Sequence, residues 1–433
     1  MLTWLRRGIN IIFCGIILAL SWFYATCPIY IFEEPKPFAG EKFHNPYQEI
    51  DPDGWHKCNF HAHSKCWRGL TKGKNSPEEF FATYNKLKYD VCPLSNYMQI
   101  DATHSGDPLY IPVYEHGYNI KKVHQLALGA RTIVWRDYVF PQNLSQKQHI
   151  IDMLKKHSQV VALCHPGVRS GYPLEDLMYL SGYDLMEVQN CHEIYAEEWD
   201  AALSSGHQVW LIAGDDAHSV NNIVQPQRSA TFVNRPSPGR TVGSALVQPP
   251  SVVGLKCSIA GISNRLRYTP GSSGEGILER LAQGQAFGVL FPINAQLEEK
   301  RRDADKVSFP VAVQVIEDSL HVTWQQKMQQ INFIGDGGKL LQTFEDTDSA
   351  VYPIQPEDTY VRVKLIAHDG LVYFLNPVIR YAGDEPVRQS LQRIDTFRTF
   401  IKRAIILCMV SALGGGIVYF FRGRCSYFVQ LNN

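Results

Sequence analysis

The chain has 433 residues, more than one ordinary small domain needs, which leaves room for a large core and a second module. Lysine plus arginine and aspartate plus glutamate both total 42, so no net field gathers polyanions, and nucleic-acid binding is disfavoured. Ten cysteines, with Cys58, Cys66, Cys92, Cys164, Cys191 and Cys257 in the body, are enough for bridges in an oxidising compartment and too sparse for a disulfide scaffold.

From Gly8 to Phe32 there is no charged residue, and Arg6 and Arg7 stand just before. Such a segment matches the roughly 30 Å hydrocarbon core, which takes about 20 apolar residues. With no convincing small-x-small cleavage signal near Thr26, residues 1–32 are expected to be an uncleaved transmembrane anchor. The positive-inside rule keeps Arg6 and Arg7 cytoplasmic and puts the soluble body, from about residue 33 to 400, on the extracytoplasmic side. Residues 33–54, rich in proline and acidic residues, read as a linker.

From Trp55 the pattern alternates between strands and helices. Ser76-Pro77-Glu78-Glu79 is a helix start, with serine as cap, proline in the first turn and acids at the positive end of the dipole. The helix leads to an apolar VCPL strand. The unit returns as SQKQHIIDMLKKH before VVALC, PLEDLMYL before DLMEV and YAEEWDAALSSG before VWLIA, the rhythm of parallel βα units. One more helix, in GSSGEGILERLAQGQAFGV, closes a domain over 55–300. Over 305–383 the texture becomes short alternating runs broken by Gly, Asp and Pro, the signature of an antiparallel β-sandwich or small barrel. A connector, 384–403, leads to an apolar run at 404–421, framed by Lys402, Arg403, Arg422 and Arg424, which reads as a second transmembrane helix. Gly414 to Gly416 disfavour a soluble helix interior, at about 1 kcal/mol each relative to alanine. The expectation is a two-pass membrane protein embedded by a helix at each end.

The polar residues after the apolar strands are the candidates for chemistry. In N-F-H-A-H, His61 and His63 stand two apart, and in an extended strand such residues share a face. Glu115 in IPVYEHG, His124 in KKVHQLALG, His165-Pro166 after VVALC, Asn190 after DLMEV, and Asp215-Asp216-Ala217-His218 after VWLIA extend the set. Loops at the carboxyl ends of α/β strands converge on one mouth. Imidazole nitrogens with carboxylate oxygens suit Zn, Mn or Fe, and a carboxylate such as Glu115 can bridge two ions. Asp215 also reads as a turn cap, and His104, His116 and His192 as ordinary hydrogen-bonding histidines.

In order, N-F-H-A-H, I-P-V-Y-E, L-C-H-P, E-V-Q-N and G-D-D-A-H resemble the motifs of the PHP (polymerase and histidinol phosphatase) superfamily over Trp55 to His218, and YVRVKLIAHDG with LNPVIRY resembles the β-domain that follows in many bacterial PHP phosphoesterases. The resemblance implies a distorted (β/α)7 TIM-like barrel followed by a small antiparallel β-sandwich. It implies His61, His63, Glu115 and Asp216 as ligands of a first divalent ion, and Glu115, His124 and His165 as ligands of a second. Ser95-Asn96-Tyr97 stands where the family usually has Thr-Asp-His, and Trp67-Arg68-Gly69 stands where it often has Ser-Asp-Gly or a histidine, so two metals are expected. The third position would be vacant or filled by a cation such as Lys65 or Arg68, since arginine binds phosphate bidentately. The expected function is hydrolysis of a small-molecule or envelope-associated phosphoester by a water activated between two metals, with His218 acting on the leaving oxygen. An amide or ester hydrolase and a non-catalytic binding protein are the alternatives.

Overall fold

The computed structural model describes residues 4, 9, 15, 21–190, 193–223, 228–235, 273–291, 306–386 and 388–409. The strands are β1 (Tyr30–Phe32), β2 (Lys42–His44), β3 (Trp55–Cys58), β4 (Val113–His116), β5 (Gln125–Leu128), β6 (Val160–Leu163), β7 (Leu185–Gln189), β8 (Trp210–Ala213) and β9 (Arg228–Asn234). They continue as β10 (Ala286–Phe291), β11 (Pro310–Ile316), β12 (Ser319–Ile334), β13 (Leu340–Pro353), β14 (Tyr360–Ile366), β15 (Val372–Leu375), β16 (Val378–Tyr381) and β17 (Gln392–Ile394). The helices named here are α1 (Pro77–Lys86), α2 (Leu144–His157), α3 (Leu174–Tyr179), α4 (Ala196–Ser204), α5 (Val220–Ile223) and α6 (Gly274–Ala282).

The expected helix starts form as their side chains dictate. Ser76 and Glu79 make a reciprocal capping box on α1, and Asn143 with Gln146 makes another on α2. The βα rhythm over 144–213 also appears, with β6, β7 and β8 parallel and α3 and α4 between them.

The (β/α)7 barrel does not form: among the described residues the architecture is mixed α/β, mostly sheet, with no closed barrel. Between β4 and β5 only residues 117–124 are available, too few for the crossover that a parallel pair requires, so these two pair antiparallel; β5 and β6 are also antiparallel, although residues 129–159 with α2 lie between them. VCPL makes a single bridge, Cys58 to Val91, instead of a strand. β9 and β10 do not pair with β8 but enter a ten-stranded sheet ordered β11-β12-β14-β15-β10-β9-β3, with β13, β16 and β2 joined at its margins. The predicted small sandwich is therefore not separate, because β10 pairs with β15 in continuous register from Phe287–Leu375 to Leu290–Val372. A five-stranded sheet, β4 to β8, and the β1–β17 ribbon complete the layers. Apolar side chains such as Leu126, Ile150, Leu163, Trp199 and Trp210 fill one core, and Phe232, Phe287, Trp324, Ile331 and Tyr373 fill the other. Asp200 on α4 ties the halves by accepting from Arg362 Nε and Nη2 at 2.7 and 2.6 Å and from the Tyr360 hydroxyl at 2.9 Å.

The two-pass membrane reading is likewise overturned: among the described residues no helix is long and apolar enough to cross a membrane. In the first apolar segment, helical residues 21–26 stop before Cys27-Pro28, and β1 pairs antiparallel with β17. Proline disfavours helix at the residue before it, which ends the helix there. Toward the carboxyl end, a helix runs over 396–409, beginning before Ala404. Positions 5–8, 10–14, 16–20 and 410–421 of the two expected spans lie outside the described residues. Membrane embedding by two helices, and the extracytoplasmic placement deduced from it, are not retained.

Candidate metal centre

Single bridges between loops bring the polar residues together. Ala62 pairs in parallel with Ala217, where His63 N–H donates to the Ala217 carbonyl at 2.7 Å. Ala62 N–H donates to Ser95 Oγ at 3.1 Å and Ser95 N–H donates to the Ala62 carbonyl at 2.9 Å. Ser64 N–H donates to Asn96 Oδ1 at 2.8 Å. Held extended on both sides, His61 and His63 point the same way. Ser95 and Asn96, which depart from the family pattern, are thus the brace of the H-x-H strand. Tyr97 bridges to Glu115 on β4, His124 lies just before β5, His165 follows β6 and Asp216 follows β8. His165 and Asp216 adopt positive φ, 29° and 45°, conformations that cost non-glycine residues about 1 to 3 kcal/mol and that cluster at functional sites.

All six expected ligands meet, and all are buried. Glu115 is the hub. Its Oε1 lies 2.6 Å from His124 Nδ1, 3.2 Å from His165 Nε2 and 3.5 Å from His61 Nε2, while its Oε2 lies 3.2 Å from His63 Nε2. Asp216 Oδ1 lies 3.3 Å from His61 Nε2 and 3.1 Å from His63 Nε2. Two overlapping groups have ligand atoms within 4.8 Å of one another: His61, Glu115 and His165, and His61, His63 and Asp216.

The donor set fits a divalent cation. His61 Nδ1 is 2.9 Å from Glu187 Oε1, which accepts the ring N–H there and leaves Nε2 as the nitrogen that faces the centre. Nε2 of His61, both ring nitrogens of His63 and Oε2 of Glu115 are buried without a hydrogen-bond partner among the described residues. Buried polar atoms are costly unless paired, and imidazole nitrogens and carboxylate oxygens converging on one point offer their lone pairs to a cation. The electrostatics agree. Burial alone would depress His61, but Glu187, Asp216 and Glu115 outweigh it and hold its pKa well above the ordinary value. Burial likewise opposes ionisation of Glu115, yet His124, His61 and His63 bring its pKa well below the carboxylate range. His124 is lowered, by burial acting against Glu115.

Glu187 was not singled out from the sequence, although it lies in the E-V-Q-N motif. It is fully buried on β7, and its second oxygen accepts His165 N–H and Asn190 Nδ2–H, each at 2.9 Å. Gly214 makes room for it: a Cβ there would lie 2.5 Å from Glu187 Oε1 and 2.9 Å from His61 Cβ. Asn59 was also missed; its Oδ1 accepts Asp215 N–H at 2.9 Å, and the Tyr84 hydroxyl donates to Asp215 Oδ2 at 3.2 Å. Asp215 thereby serves as a buried support.

The expected catalytic residues fall differently. His218 Nδ1 is 2.8 Å from the Asp216 carbonyl, and its Nε2 is 3.2 Å from the Tyr97 hydroxyl. Burial and the neighbouring His63 lower its pKa to about 4, so the ring is neutral at pH 7. Lys65 and Arg68 are exposed, whereas Lys122 is half-buried, with Nζ 5.5 Å from the centre of the Tyr97 ring, and that ring stacks on His63 at 4.3 Å. Among the other histidines, His116 bonds to Gln125 and to the Arg136 carbonyl, both at 2.9 Å, and His192 lies outside the described residues.

No family model matches the chain, and no curated protein matches it.

Proposed function

We propose that the chain is a metal-dependent hydrolase that cleaves a phosphoester. The observation that carries this reading is the convergence of His61, His63, Glu115, His124, His165 and Asp216, all buried, around one bridging carboxylate. The order of the motifs, similar to that of the PHP superfamily, supports it. His61, His63, Glu115 and Asp216 would hold one divalent ion, and Glu115, His124 and His165 a second, with Zn, Mn or Fe suited to these donors. Such ions supply Lewis acidity and a nucleophilic water near neutral pH. The protein's own groups do the rest. Glu187 keeps His61 in the tautomer that offers Nε2, and the Ser95 and Asn96 brace holds the H-x-H strand straight. His218, neutral with Nδ1–H on the Asp216 carbonyl, offers the Nε2 lone pair beside the Tyr97 hydroxyl, where it would take the proton released by the attacking water and deliver it to the leaving oxygen.

The test is metal analysis of the purified full chain, followed by a panel of phosphomonoesters and phosphodiesters. About two ions per chain and turnover abolished in His61→Ala are the expected results. A chain that folds, takes up no Zn, Mn or Fe and hydrolyses nothing in the panel would overturn the proposal.

A further inference from the structure

Beside the metal centre lies a cavity of about 450 Å³ lined by Trp67, Tyr97, Tyr118, Lys122, His124 and Trp135 among others. One wall, His124 and Tyr97, belongs to the centre itself. The opposite rim is aromatic and open to solvent: Trp67 and Tyr118 are 42% exposed and Trp135 is 54% exposed. Surface tryptophans are usually covered, and these two form a corner, with ring centres 6.0 Å apart at 72°. Hydrogen bonds hold the corner in place. Trp67 Nε1–H donates to the Tyr97 carbonyl at 2.8 Å, and the Tyr118 hydroxyl donates to the Trp135 carbonyl at 3.0 Å. Lys122 lines the same cavity, with Nζ 5.5 Å from the centre of the Tyr97 ring. Its loop is pinned by Asn119, whose Oδ1 accepts Val123 N–H at 2.8 Å and whose Nδ2–H donates to the Val123 carbonyl at 2.9 Å.

Resting on the phosphoester reading, we propose that this cavity is the substrate subsite: Lys122 holds a non-bridging phosphate oxygen, and the Trp67–Trp135 corner stacks a planar aromatic group carried on the ester oxygen. A single ammonium beside His124 supplies the cation that neither Lys65 nor Arg68 provides, because those side chains are exposed. An ammonium gathers a phosphate as a point charge, and a flat ring gains most from an aromatic face that is rigid and already half-desolvated. The preferred substrate class is therefore an aryl or heteroaryl phosphoester over an alkyl one.

The experiment is calorimetric binding of phenyl phosphate and ethyl phosphate to the metal-loaded full chain, with turnover of both measured in parallel. Phenyl phosphate is expected to bind about tenfold more tightly than ethyl phosphate. Lys122→Met should weaken both ligands by roughly tenfold or more, Lys122→Arg should recover most of that loss, and Trp135→Ala should erase only the aromatic preference. Metal content and melting temperature of each variant verify that the fold and the centre are intact. Equal affinity for the two ligands, or full affinity in Lys122→Met, overturns the subsite. If phenyl phosphate binds as described but is not cleaved, the hydrolase reading fails while the subsite stands. If both ligands are cleaved with no aromatic preference and no dependence on Lys122, the subsite fails while the hydrolase reading stands.

Discussion

Glu187 is the residue whose replacement tests the centre most sharply. Its carboxylate faces three donors: His61 Nδ1–H on one oxygen, and His165 N–H and Asn190 Nδ2–H on the other, each at 2.9 Å. Glu187→Gln keeps the volume but replaces one acceptor oxygen with an NH2 group, so in either amide orientation a donor faces a donor. If the NH2 turns toward His61, the imidazole must move its proton to Nε2 and can no longer offer that nitrogen to a cation. If it turns the other way, two buried N–H groups lose their acceptor, at about 1 to 3 kcal/mol each. Supporting carboxylates of this kind change metal affinity by about 10- to 100-fold, which corresponds to about 1.4 to 2.8 kcal/mol. The assay is competitive titration of Zn and Mn into the stripped full chain, wild type against variant, with circular dichroism to establish folding. A folded Glu187→Gln protein with unchanged metal affinity would refute the reasoning that Glu187 sets the His61 tautomer.

Four further outcomes are expected. Gly214→Ala brings a methyl group to 2.5 Å from Glu187 Oε1, so it should lower metal occupancy and melting temperature together; a variant indistinguishable from wild type by metal analysis and calorimetry would contradict the packing. Chelation by EDTA should destabilise the chain by about 2.7 kcal/mol relative to protein held with free metal at a hundredfold its dissociation constant, as read by urea unfolding, and adding Zn or Mn back should restore it. Arg362→Met leaves Asp200 buried with its charge uncompensated and should cost about 3 to 5 kcal/mol in the same assay, while the double replacement Asp200→Leu with Arg362→Met should recover much of the loss. His149 has its pKa lowered to about 4, by burial first and then by Arg136 and other cations. The fold therefore favours its neutral form, which accepts the Tyr138 hydroxyl at 2.6 Å, and the unfolded chain binds the proton first. The stability this residue contributes is complete above about pH 6.5 and is lost as pH falls toward 4. Unfolding free energies of His149→Asn should then change less between pH 7.5 and pH 5 than those of wild type, and equal slopes would exclude the linkage.

Local chemistry was legible wherever a few neighbouring residues decide the outcome. Ser76 with Glu79 specifies a helix start by itself, and H-x-H in an apolar run specifies two rings on one face. The ligand residues were likewise visible as polar side chains following apolar strands, and His61, His63, Glu115, His124, His165 and Asp216 do meet. Supports were harder to see. Glu187 sits inside a wholly buried strand, where alternation carries no signal, and its partners His61 and His165 lie on other elements. The lysine beside the centre was not legible for a related reason. Lys65 and Arg68 are close to the histidines in sequence, whereas Lys122 comes near only through the loop between β4 and β5.

Apolar length misled at both ends, because a run of uncharged residues describes solvent preference and not the partner that satisfies it. Tyr30–Phe32 found that partner in Gln392–Ile394, more than three hundred residues away. The βα rhythm set the parallel β6, β7 and β8, since each helix between them is long enough to cross over. It could not close a barrel, because strand pairing beyond that point is a contest between distant edges. β10 met β15 there, and strands from both expected regions came to share one sheet. What this sequence determined alone was the helix starts, the parallel strands and the identity of the side chains that gather as candidate metal ligands. What only the tertiary structure decided was which edges pair, which carboxylate orients His61 and which lysine lines the cavity beside it, because each depends on contacts between residues far apart in the chain.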